Sequence, residues 1–99
     1  MARPGKKGKS KHDEKVESIV QELQRAGWEV QADLPGMDAP DGIGRAGHVP
    51  DIVARKAGAT RIVEVETPET VNTDRAQHES FRRSAGQRKR TTFQIEETD

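Results

Sequence analysis

Residues 60–67, TRIVEVET, leave the chain the fewest options. Ile62, Val63 and Val65 lie between Gly58 and Pro68, so this is a strand with a turn before it and a stop after it. Strand side chains alternate, so Glu64 and Glu66 share one face. A strand cannot stand alone, and two carboxylates on one face need either water or a cation.

The partners of that strand can be read outward. Residues 51–55 (DIVAR) form a short strand, and the chain turns back near Gly58. Trp28, Val30, Ala32 and Leu34 alternate with Glu29, Gln31 and Asp33, giving a half-buried strand over 28–34. Before it, Val16, Ile19, Val20 and Leu23 recur at helical spacing. Ser10 and Asp13 form a capping box at the start of this helix, and Gly27 ends it. Asn72 or Thr73 caps a second helix that runs to about Ala85, carries Ala76, Phe81 and Ala85, and stops at Gly86. Phe93 and Ile95 mark a last strand over 91–96. The segment 35–50 holds three Pro and four Gly, a loop long enough to suggest a use.

The order is helix, strand, strand, strand, helix, strand. Three loop-joined strands form an antiparallel meander. A helical return lets the fourth lie parallel to the third. The expected fold is α/β, an α-β-β-β-α-β core with a mixed four-stranded sheet flanked by helices. One domain over 11–96 is expected, with a disordered basic arm at 1–10 and a tail at 97–99. Only 17 of the 99 residues are Leu, Ile, Val or Phe, so the core is thin and a dimer or bound partner would help complete it.

Composition removes several function classes. There is no cysteine, hence no disulfide frame, thiolate metal site or cysteine nucleophile. No apolar run reaches 18 residues, and the basic start is followed by no apolar stretch, so neither a membrane span nor a secretory leader is expected. A cytoplasmic setting fits. The net charge is zero but unevenly placed. Residues 1–11 carry five bases and no acid; residues 12–66 carry six bases and eleven acids; residues 67–90 carry six bases and three acids. An acidic middle between basic segments suits a polyanion held beside a cation. The plainer alternative is a set of solvated faces.

Asp51 begins the strand that neighbours Glu64 and Glu66, so three carboxylates converge at one end of a hairpin. Together they repel unless a cation or a raised pKa relieves them. Hard divalent ions take such ligands. The alternative is that the acids form a polar hairpin face.

Pro50-Asp51, a twelve-residue spacer and Glu64-Val65-Glu66 resemble the restriction-endonuclease-like PD-(D/E)XK nuclease superfamily, over about residues 11–96. The same order of elements characterises that family. The resemblance implies that Asp51, Glu64 and the carbonyl of Val65 hold Mg²⁺ or Mn²⁺. Glu17 on the first helix would complete the site, with Glu14 second. The segment Gln77-His-Glu-Ser-Phe81 is similar to the Gln-x-x-x-Tyr motif of the RecB-like branch. It would put Gln77 at the site and Phe81 inside. One departure is that the family's Lys is Glu66 here. Glu66 could position water or a second ion, with Arg55, Lys56 or Arg61 supplying positive charge.

The implied activity is metal-dependent endonucleolytic hydrolysis of DNA phosphodiesters. Likeness in size to archaeal Holliday junction resolvases implies a branched substrate and a homodimer. The other reading is a nuclease-fold module that binds nucleic acid or a protein without cutting. Lys6, Lys7 and Lys9, with Arg75, Arg82, Arg83, Arg88, Lys89 and Arg90, would grip phosphates. His48 and His12 could approach a phosphate or the metal, but their plainer roles are solvated loop and helix-start residues. Trp28 is expected in the core.

Overall fold

A computed structural model describes residues 11–44, 47–68 and 75–98. The expected capping residues Ser10, Asn72 and Thr73 and the arm lysines Lys6, Lys7 and Lys9 lie outside the described residues. Helix α1 spans Lys11–Arg25 and buries Val16, Ile19, Val20 and Leu23, the stripe set by the sequence spacing. Asp13 and Glu14 in the first turn and Arg25 in the last complement its dipole. Trp28 N–H donates to the Leu23 carbonyl (3.0 Å) and Gly27 N–H to that of Gln24 (3.0 Å), with Gly27 at φ 92°. This is a Schellman termination, which needs a residue free to take positive φ.

The strands are β1 (Glu29–Ala32), β2 (Ile52–Lys56), β3 (Ala59–Glu66) and β4 (Thr91–Glu97), in sheet order β1-β2-β3-β4. β1–β2 and β2–β3 are antiparallel, and β3–β4 is parallel. This is the mixed α/β sheet expected. Ala57 (φ 50°) and Gly58 (φ 85°) form the two-residue turn of the β2–β3 hairpin. β1 is shorter than its alternating pattern because the chain folds back after Asp33: Met37 N–H donates to Leu34 O and Ala32 N–H to Asp38 O. Leu34 still packs on the core.

Helix α2 (Arg75–Gln87) carries the chain from β3 to β4. It runs through Gly86 instead of stopping there. Gly86 does not take positive φ, and the reversal comes at Arg90 (φ 56°). Ala76 is exposed, so the buried side of α2 is His78, Phe81, Ser84 and Ala85.

The alternation of the strands makes two cores. Ala32, Ile52, Ala54, Val63 and Val65 pack under α1. Ile43, Val53, Ile62 and Phe81 pack on the other face, with Phe93 beside them. Phe81 is fully buried, with its ring 5.7 Å from that of Phe93. Burial of one such side chain contributes about 2–3 kcal/mol. The long loop contributes Ile43 to this second core. Ile43 and His48 bridge in antiparallel fashion, and His48 meets Phe81 edge-on at 6.3 Å. No described helix is long and apolar enough to cross a membrane.

Candidate metal centre

The β2–β3 register pairs Ile52 with Val63, which sets Asp51 across from Glu64. The two residues interlock. Asp51 N–H donates to Glu64 Oε1 (2.8 Å), and Val65 N–H donates to Asp51 Oδ2 (2.8 Å). Both donors are main-chain N–H groups at the β2–β3 pairing, so one oxygen of each carboxylate is held by the backbone. Val65 thus enters the cluster through its N–H.

Glu64 and Glu66 face α2, opposite the face that carries Val63 and Val65. They are 3% and 2% exposed. α2 answers each acid with one residue. Gln77 Nε2 donates to Glu64 Oε2 (2.8 Å), and His78 Nε2 lies 2.9 Å from Glu66 Oε2. Phe81, one turn further on, anchors the helix in the core. One oxygen or nitrogen from each of Glu64, Glu66 and His78 lies within 4.8 Å of the others, and all three residues are buried. That group could hold a metal ion.

Burial is the main reason the Glu64 carboxyl is pushed up to about 9; the charge of Asp51 adds to it, and that of Glu66 adds further. The Asp51 N–H opposes the shift. His12 closes the other side of Asp51, its Nε2 3.2 Å from Asp51 Oδ2 and its Nδ1 3.1 Å from Asp13 Oδ1. Burial works to lower its pKa, but the hydrogen bonds and charges of Asp13 and Asp51 outweigh burial and raise it. Both ring nitrogens then have a carboxylate to donate to, the arrangement of an imidazolium.

The structure therefore gathers Asp51, Glu64, Val65, Glu66 and Gln77. Helix α1 reaches this cluster with His12, for which a plain helix-start role was expected; Glu17 is half-buried further along the helix. Nothing in the sequence pattern singles out His78. Its only signal was its place beside Gln77, on a helix that had to cross the acidic end of β3. The neighbouring cations expected to offset Glu66 are engaged elsewhere. Arg55 donates to Gln31 (2.9 Å), Lys56 to the Ala26 carbonyl (2.5 Å), and Arg61 lies 4.7 Å over the Trp28 ring. Trp28 itself is half-buried, packed against the α1 core.

Arg75 is exposed at the start of α2, and Arg82 lies 5.6 Å over Phe93. Arg83 and Arg88 line a cavity of about 360 Å³ with Ser80, Ser84, Gln87 and Gly44. No protein-family profile, curated protein or solved structure matches the chain.

Proposed function

We propose that this chain is a metal-dependent DNA endonuclease-like protein that hydrolyses phosphodiesters. The observation that carries the reading is the interlocked Asp51–Glu64 pair, with Gln77 on the second oxygen of Glu64. A carboxyl pushed up to about 9 by burial and by a neighbouring carboxylate fits a divalent cation, which would let both acids ionise. Asp51, Glu64 and the Val65 carbonyl would hold Mg²⁺ or Mn²⁺, with Glu17 as the fourth contributor. Such an ion supplies an activated water and offsets charge on the phosphodiester.

The chain's own residues do the rest. Gln77 fixes the rotamer of Glu64, and the Val65 N–H fixes that of Asp51. Glu66 stands on the same strand face, where it can orient water. Arg83 and Arg88, with Ser80 and Ser84 on one side of α2, offer donors to the phosphate backbone beyond the cut. Branched DNA as substrate, a homodimer as the assembly and a cytoplasmic location extend the same reading.

Glu66 in the place of the family's Lys favours a second reading, a nuclease-fold module that binds nucleic acid without cutting. The test is cleavage of linear, supercoiled and four-way-junction DNA in Mg²⁺ or Mn²⁺, comparing the natural chain with Asp51→Ala. Cutting that falls at least ~100-fold in Asp51→Ala is the expected result. Undiminished cutting by that variant refutes the proposal. Salt-dependent binding by the natural chain, with no cutting and no response to divalent ions, selects the second reading.

A further inference from the structure

We infer that Glu64, Glu66 and His78 form a second cation site, of mixed oxygen and nitrogen donors, that prefers a transition ion such as Zn²⁺ or Co²⁺ to Mg²⁺. It adjoins the Asp51–Glu64–Val65 oxygen site and shares Glu64 with it. The inference stands on these three side chains and does not require that the protein cut DNA.

Three features carry it. The first is the donor set. Two carboxylates and one imidazole match the charge of a divalent ion and supply three ligands. The imidazole shifts preference away from Mg²⁺, which favours oxygen and retained water, toward Zn²⁺, Co²⁺ and Mn²⁺. The second is spacing. His78 Nε2 and Glu66 Oε2 are 2.9 Å apart. Adjacent ligands on one ion at bonds of about 2.1 Å lie roughly 3.0 Å apart in octahedral geometry. The third ligand atom falls within 4.8 Å of both, whereas ligands of one such ion lie roughly 3.0 Å (adjacent) to 4.2 Å (opposite) apart, so binding would draw the Glu64 carboxylate toward the other two.

The third feature is rigidity. Glu64 and Glu66 stand on β3, which is paired on both sides by β2 and β4. His78 stands on α2, which is pinned by fully buried Phe81. Glu64 is held at both oxygens, by Asp51 N–H and by Gln77. A carboxylate 2% exposed is costly to leave in the interior without a compensating charge, and a divalent ion held between Glu66 and His78 would offset that cost.

The sequence contains three histidines, so a long-range ¹H–¹⁵N spectrum of the uniformly labelled full chain separates every ring, with His→Gln variants for assignment. Zn²⁺ is added alone, and then against a tenfold excess of Mg²⁺. The expected result is that the His78 Nε2 signal moves at one equivalent of Zn²⁺ and that Mg²⁺ does not reverse it. His78→Gln and Glu66→Gln should each weaken Zn²⁺ binding by at least ~10-fold by calorimetry. Because the spectrum is read on the natural chain, the result does not depend on either variant folding.

The idea is overturned if Zn²⁺ moves the amides of Asp51, Glu64 and Val65 while the His78 ring stays put. It is also overturned if His12 or His48 moves instead, or if equimolar Mg²⁺ displaces Zn²⁺. Asp51→Asn separates the two proposals. It should abolish cleavage yet leave the Zn²⁺ response of His78 within ~3-fold. Intact cleavage in that variant with an intact His78 response defeats the nuclease assignment and leaves this site standing; loss of the His78 response defeats this site as an independent one.

Discussion

Replacing Glu64 by Gln should make the metal-free protein more stable at pH 8 while changing little at pH 5. Glu64 is 3% exposed, and its carboxyl sits at about 9 in the folded chain against 4.5 for an ordinary Glu. Between those two values the folded state keeps a proton that the unfolded state has released. The unfolded state thus binds fewer protons, and stability falls as pH rises through this window. The ceiling is about 1.4 kcal/mol per pH unit, or roughly 4 kcal/mol from pH 5 to pH 8. Water entry and side-chain relaxation recover much of such a penalty, leaving an expected ~1–2 kcal/mol. Gln keeps the shape and removes the titration. Urea unfolding followed by the single tryptophan, Trp28, with chelator present, should show the variant's advantage growing by that amount between the two pH values, or by about 5–15 °C in Tm. Mn²⁺ at pH 8 should then stabilise the natural chain and not the variant. An advantage that stays constant with pH, or shrinks toward pH 8, refutes the electrostatic account of this site.

His12→Gln should cost stability mainly in acid. The raised pKa of His12 means that its contribution is fully present below 6.5 and is lost as pH rises through the folded value. With the side chain 32% exposed, the effect should be about 0.5 kcal/mol, read as a Tm difference at pH 5.5 that vanishes by pH 8.5. Phe81→Ala should cost about 3–4 kcal/mol in urea unfolding, because the fully buried ring fills the core between α2 and the sheet. Gly44→Ala should cost ~1–2 kcal/mol in the same assay: Gly44 has φ 78°, and an added Cβ would overlap Ser80 Oγ.

The sequence revealed most where one period ran undisturbed. The stripe Val16, Ile19, Val20 and Leu23 gave α1, and the alternation around Val63 and Val65 gave β3, because each pattern fits one backbone period only. Gly86 misled, since a glycine near a helix end is a stop only if it takes positive φ, and that depends on where the following strand must enter. The acids were legible because Asp51 immediately precedes β2 while Glu64 and Glu66 lie on β3 of the same hairpin, where register is local. His12 and His78 were not. Each meets its carboxylate from a separate helix, and nothing in single-sequence periodicity fixes how a helix is rotated against a sheet.

That rotation explains how a second buried carboxylate, Glu66, is tolerated beside Glu64. On β3, residues 64 and 66 present their carboxylates on one face, two residues apart along the strand. On α2, residues 77 and 78 are neighbours separated by about 100° around the helix. A helix crossing the end of the strand can therefore offer successive side chains to successive acids, Gln77 to Glu64 and His78 to Glu66. The Glu66 carboxylate and the His78 ring meet at 2.9 Å, a hydrogen-bonding contact that gives the buried acid a partner. Glu66 and His78 thus form one unit, and a change at either position alters the surroundings of Glu64, which lies beside both.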